Sequence, residues 1–183
     1  MKDRILDTVA ELIQRYGLKK FTVDEVAKEL KISKKTIYQY FSSKDEMIQE
    51  YFRIYVESDK NGITGALEEN EEILTKIHAV IFSPHRYKMP VSIIEEARRF
   101  YPKEWQSIED LKHYKLTAIQ ELLEQGAREG TLKKDIHFGV LTAMLERISD
   151  IATDYDFLIE NNLKASNAIE EALNIIFNGI IAG

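Results

Sequence analysis

From Lys34 to Tyr40 the chain reads KKTIYQY, which sets two ammonium groups, a hydroxyl, two phenols and an amide within about two helical turns. Lysine neutralises phosphate, and hydroxyls and phenols donate to phosphate oxygens. An amide such as that of Gln39 offers a donor and an acceptor together, the pair that matches an adenine edge, and Lys35 can donate to guanine O6 and N7. This is the chemistry of a surface that touches DNA. Within it, Lys35 and Gln39 are the candidates for reading sequence.

The flanking residues supply the elements that must hold this surface. Thr22 to Leu30, TVDEVAKEL, pairs Thr22 with Glu25 as a capping box and places Val23, Val26, Ala27 and Leu30 along one helical face. Lys31 and Ile32 follow as a turn, Ser33 is placed to cap a second short helix, and Ile37 and Phe41 recur at the spacing that buries one side. Two short helices joined by a tight turn make a helix-turn-helix, whose second helix presents Lys34, Lys35 and Thr36 in its first turn to the major groove. Ser43-Lys44-Asp45-Glu46 is a further capping box and predicts a third helix from Ser43 through Met47, Tyr51 and Ile54, with Phe41-Ser42 only a link. Upstream, Ile5, Val9, Leu12, Ile13 and Tyr16 predict a covering helix from Lys2 to Tyr16, stopped by Gly17.

The pattern T-I-Y-x-Y-F-x-x-K beginning at Thr36, preceded by the Thr22-led helix and an N-terminal helix of about fifteen residues, resembles the TetR family of bacterial transcriptional regulators. The motif covers roughly the first 50 residues; the remainder resembles the family in length and helical character. The resemblance implies DNA binding, with the positions matching Thr22, Tyr38, Tyr40 and Lys44 gripping phosphates. Tyr40 has an alternative, to pack its ring beside Ile37 and Phe41. Lys44 is either a plain exposed lysine or a cation whose place at a helix start calls for a nearby anion. Lys31 departs from the pattern, since glycine is frequent there; a left-handed lysine costs about 1 kcal/mol.

At 183 residues, 44% apolar and 31% charged, the chain is globular. It has no cysteine, which excludes disulfides and thiolate metal sites. MKDRILDTVAEL lacks a signal-peptide pattern, and no apolar run approaches ~20 residues, so the expectation is a cytoplasmic protein without a membrane span. The net charge of −6 opposes a DNA partner only until it is divided. Residues 1–44 carry ten Lys or Arg and six Asp or Glu, a balance of +4, and the remainder carries −10. The positive charge sits with the motif, although a solvated charged face is the plainer reading of the asymmetry.

Beyond Tyr51, helical patterns recur at 66–82, 91–100, 107–129, 136–160 and 165–181, broken by proline, glycine and Asn161-Asn162. Nothing alternates like a strand. The expected fold is all-α: an N-terminal three-helix helix-turn-helix DNA-binding domain at 1–46, then a larger helical-bundle regulatory and dimerisation domain at 47–183, with Asn61-Gly62 and Gly65 loosening the join. The stripe Phe138, Leu141, Leu145, Ile148, Ala152 and a last helix apolar on more than one face point to a dimer interface of Leu141, Leu145, Ile148, Ile169, Leu173, Ile176, Phe177 and Ile180; the alternative is a terminal helix wholly inside one core. Two heads about 34 Å apart would meet successive major grooves of a palindromic operator.

A small-molecule effector, which the family resemblance implies, has candidate contacts in Tyr87, Phe100, Tyr101, Trp105, His113 and Tyr114, with Phe138, Arg147 and Tyr155 approaching from the next layer. Aromatics at helical spacing are also ordinary core, and Arg147 can pair with Asp150. No cofactor or metal is implied: the four histidines are scattered and only Asp110-x-x-His113 approaches the Glu-x-x-His motif of a helical carboxylate-rich enzyme, the rival from another class. No G-x-S-x-G or P-loop occurs. The reading is a homodimeric repressor released by a ligand; an activator and a helical interaction module with a degenerate head are the alternatives.

Overall fold

The computed structural model describes residues 1–133 and 135–180, with the side chain of Ile180 outside the described set. Ten α-helices carry the described residues: α1 Lys2–Lys20, α2 Val23–Leu30, α3 Lys34–Tyr38, α4 Lys44–Glu68, α5 Ile73–Ile81, α6 Ile94–Phe100, α7 Pro102–Glu129, α8 Phe138–Thr153, α9 Tyr155–Glu160 and α10 Ala165–Ile180. A single 3-10 turn, Val91–Ile93, leads into α6. The all-α class is therefore as read. No described helix is long and apolar enough to cross a membrane.

The chain forms two compact units. The first comprises Met1–Gly62 and Pro84–Leu111, and the second Ile63–Ser83 with the described residues from Lys112 onward. This geometric partition differs from the 1–46 and 47–183 division by role. In the first unit a core of Ile5, Leu6, Val9, Ile13, Phe21, Val26, Ile37, Phe41, Met47, Tyr51 and Phe52 unites α1–α4, and Tyr87, Ile93, Ala97 and Tyr101 extend it. The second unit buries Ile73, Ile77 and Val80 of α5, Ile119, Leu122 and Leu123 of α7, Leu141 and Leu145 of α8, and Leu173 and Ile176 of α10. Within that unit α8 and α10 pack together.

Several boundaries differ from periodicity alone. α1 does not end at Gly17 but breaks there, at φ 82°, ψ 179°, before one further helical turn, and Tyr16 is exposed rather than on the buried face. α4 runs straight through Asn61, Gly62 and Gly65 to Glu68. Ile63 and Ala66 are buried beside those residues, and packing outweighs a glycine penalty of about 1 kcal/mol. The 66–82 pattern therefore divides between α4 and α5. α7 begins at Pro102, since proline suits the first helical position. The 136–160 pattern splits at Asp154, whose carboxylate accepts the Phe157 N–H at 3.0 Å and starts α9.

Candidate nucleic-acid interface

Local chemistry builds the helix-turn-helix. The Thr22 hydroxyl accepts the Glu25 N–H at 3.2 Å while the Glu25 carboxylate accepts the Thr22 N–H at 2.7 Å, so both arms of the capping box are closed. α2 ends on Lys31, left-handed at φ 54°, ψ 43°. The Ile32 N–H reaches Ala27 O at 3.0 Å and the Lys31 N–H reaches Lys28 O at 3.2 Å, the paired bonds of a Schellman end. Ser33 then caps α3, its hydroxyl accepting the Thr36 N–H at 3.1 Å. α3 is only five residues long, and Gln39 and Tyr40 continue as a turn before Phe41 enters the core.

The short α3 divides its residues cleanly. Ile37 is fully buried and Phe41 nearly so, while Tyr38 and Tyr40 are about half exposed, at 50% and 43%, beside exposed Lys34, Lys35 and Gln39. Thr36 is half-buried, its hydroxyl 2.9 Å from that of Ser33. Lys34 is tied to Asp24 of α2, Nζ to Oδ2 2.7 Å, and that hydrogen bond raises its pKa. The Thr22 hydroxyl also donates to Glu25 at 3.0 Å.

Lys44 has the most specific surroundings of the eight expected DNA contacts. Its ammonium donates to Lys19 O at 2.8 Å and Phe21 O at 2.7 Å and lies 4.1 Å from the Phe21 ring centroid. Two carbonyl dipoles thus face the cation at this helix start. Burial pulls the Lys44 pKa down, with Lys19 adding to the effect and Asp45 opposing it. An ammonium has three hydrogens, so one stays available for phosphate. The capping box at 43–46 is modified: Ser43 accepts the Glu46 N–H at 3.0 Å, but the Glu46 carboxylate turns to Ser42, at 2.5 Å to its N–H and 2.6 Å to its hydroxyl. Those bonds lower the Glu46 pKa, and Ser42 is more than a link.

The nine expected effector contacts fall into two groups. In the first unit Tyr87 and Tyr101 are core residues whose hydroxyls donate to Asp7 at 3.0 Å and to Asp45 at 2.7 Å. Burial raises both phenol pKa values and the carboxylate partners add to it. Phe100 lies under the Lys19 ammonium, 4.0 Å away, and Trp105 under the Arg98 guanidinium. In the second unit His113, Tyr114 and Tyr155 are exposed, Phe138 is half-buried, and Arg147 pairs with Asp150 at 3.2 Å. A groove of 390 Å³ in the first unit is lined instead by charged residues such as Lys2, Glu50, Arg53 and Arg86. Of the expected dimer residues, Leu141, Leu145, Leu173 and Ile176 are buried in the single chain, Ile148, Ile169 and Phe177 are half-buried, and the side chain of Ile180 lies outside the described residues.

Contacts made by residues far along the chain escaped the sequence reading. Glu96 accepts N–H groups beside Gly17, and Arg86 reaches Asp3 and Asp7 of α1. The only local signal was Gly17 itself, which marks a break without naming what fills it.

A capped helix-turn-helix with exposed lysines, phenols and an amide on and just after its second helix defines a DNA-binding transcriptional regulator. Residues 5–51 match the model of "Bacterial regulatory proteins, tetR family". This match covers the N-terminal head, so the chain carries a TetR-family DNA-binding domain. It is 23% identical to the HTH-type transcriptional regulator YvaF of Bacillus subtilis (strain 168), over 100% of this chain and 96% of that one. It is 20% identical to the HTH-type transcriptional repressor KstR2 of Mycolicibacterium smegmatis, over 98% of this chain and 90% of the repressor. In fold it resembles a transcriptional regulator from Saccharomonospora viridis solved in complex with choline, with a TM-score of 0.77 at 18% identity, covering 100% of this chain and 98% of that one. The family model and these relatives are transcriptional regulators and not enzymes, against the enzyme alternative.

Proposed function

We propose that the chain acts as a homodimeric repressor on a palindromic operator in the cytoplasm, with residues 1–46 as reading head and 47–183 as the regulatory and dimerisation part, and that a small-molecule effector releases it. The observation that carries the reading is the exposed row Lys34, Lys35, Tyr38, Gln39 and Tyr40 on a turn fixed by backbone bonds and caps. Tyr38, Tyr40, Thr22, Lys34, Thr36 and the third hydrogen of Lys44 position the head on phosphates, and Lys35 and Gln39 read bases. Repression is supported by the name of the M. smegmatis relative, and an effector by the choline held by the S. viridis protein.

Dimerisation is supported by apolar surface left outside the packed α8–α10 pair. Val140, Met144 and Ile151 follow one another along one face of α8 and are 57%, 49% and 43% exposed, while Ile175 of α10 is 75% exposed. Such a patch is costly in a monomer. The half-buried Ile148, Ile169 and Phe177 extend it, and the buried Leu141, Leu145, Leu173 and Ile176 back it from within. In the second unit His113, Tyr114, Phe138, Arg147 and Tyr155 are the effector contacts.

Selection of bound fragments from random DNA tests the whole reading. A two-fold symmetric site and a steep fall of affinity with salt are expected, because each neutralised phosphate releases counterions. Asymmetric sites, or a flat salt dependence, would refute it. Sedimentation of wild type and Ile175→Asp should give a dimer and a monomer respectively.

A further inference from the structure

We propose that Glu96 is a positioning residue for DNA binding, acting through the link between α1 and α2. At Gly17 the α1 hydrogen-bond ladder is broken, which leaves the following N–H groups without a helical acceptor. Glu96 Oε2 accepts both, from Leu18 at 2.7 Å and from Lys19 at 3.3 Å. A Cβ on residue 17 would stand 3.0 Å from the same oxygen, so Gly17 supplies both the left-handed φ and the room for the carboxylate.

The rest of the link is held from the other side. Lys44 binds the carbonyls of Lys19 and Phe21, and Phe100, one turn beyond Glu96 on α6, faces the Lys19 ammonium. Leu18 and Phe21 are buried, which fixes the link between these two grips. Immediately after it comes Thr22, the cap of α2. Glu96 therefore determines where Thr22 and Lys44, two of the phosphate candidates flanking the reading surface, stand relative to α3. α6 itself is anchored by buried Ile93 and Ala97 and by the Tyr101 hydroxyl on Asp45 of α4.

Loss of the carboxylate should weaken binding in a sequence-independent way, since the residues it positions touch phosphates. The test uses the full chain, a DNA duplex selected by the wild type and an unrelated duplex; wild-type binding to the selected duplex checks DNA recognition independently of Glu96. Glu96→Ala should bind both duplexes about tenfold more weakly, with the slope of log affinity against log salt shallower by about 1. It should also lose hydrogen-exchange protection at Leu18 and Lys19. Glu96→Gln, which retains an acceptor oxygen at the same reach, should stay within about threefold of wild type.

Binding by Glu96→Ala within about twofold of wild type, with an unchanged salt slope, would overturn the proposal. So would Glu96→Gln as weak as Glu96→Ala. If the alanine variant does not fold, Glu96→Asp carries the test. Its carboxylate falls one methylene short and should lose affinity while Glu96→Gln keeps it; Asp equal to wild type overturns the positioning role.

Discussion

Lys34 of α3 and Asp24 of α2 face each other across the helix-turn-helix at 2.7 Å, which sets an anion beside the proposed reading surface. Both side chains are largely exposed, so the pair adds little to stability, and a phosphate can replace the carboxylate. Asp24→Asn should leave the melting temperature nearly unchanged and tighten binding to all duplexes by about threefold at low salt, an advantage that shrinks as salt is added. Titration of labelled DNA at two salt concentrations measures both. A loss of affinity would show that Asp24 orients Lys34 rather than competing for it.

Tyr38 and Gln39 are adjacent, yet they should fail differently. Tyr38→Phe removes only a hydroxyl donor and should lower affinity for every duplex alike. Gln39→Ala should change which bases are preferred, since a bidentate amide–adenine pair discriminates by about 1–3 kcal/mol. Repeated DNA selection with each variant separates the two outcomes, and an equal loss on all sequences for Gln39→Ala would remove its reading role.

Lys44 joins the fold of the link to the proposed phosphate contact in one side chain. Lys44→Met keeps the stem over Phe21 but leaves the Lys19 and Phe21 carbonyls without their donor. Water reaches part of this link, so the stability loss should be about 1–2 kcal/mol in chemical unfolding, accompanied by weaker DNA binding. A stable variant with poor binding would show that phosphate, and not the link, is the main partner of the ammonium.

Acid should unfold the first unit partly through Glu50. Hydrogen bonds from Arg53, then from Lys2, hold its carboxyl down to about 2. A folded value below the unfolded one means that the carboxylate adds stability above the ordinary glutamate range and loses it as pH falls toward 2. Glu50→Gln should therefore lower stability at neutral pH and flatten its dependence between about pH 4.5 and 2, as thermal melts across that range would record.

The parts legible in the sequence are those written within a few residues. Thr22 with Glu25, and Ser33 with Thr36, announce α2 and α3 because a cap and its N–H lie three positions apart. Ile37 and Phe41 were legible as buried, but not the end of α3 at Tyr38, because a turn and a helix both bring residue 41 back to the core. Ser43 was legible as the cap of the Glu46 N–H, but not the turn of the Glu46 carboxylate to Ser42, because one flexible side chain reaches either serine. The bonds of Glu96, Arg86 and Tyr101 to α1 and α4 join residues 56 to 83 positions apart. No local pattern carries them. The aromatic residues of the middle segment were ambiguous for the same reason: burial of Tyr87 and Tyr101 depends on which helix lies above them, and periodicity leaves that open.

The turn between α2 and α3 is closed by main-chain bonds from Lys31 and Ile32 and by the Ser33 hydroxyl, with packing supplied by Ile37 and Phe41. The outward side chains at 35 and 39 take no part in that closure. A lineage can therefore rewrite them one at a time, drifting from one target sequence to another while every intermediate still folds. The geometry of the turn makes the address editable and keeps the machine that delivers it the same.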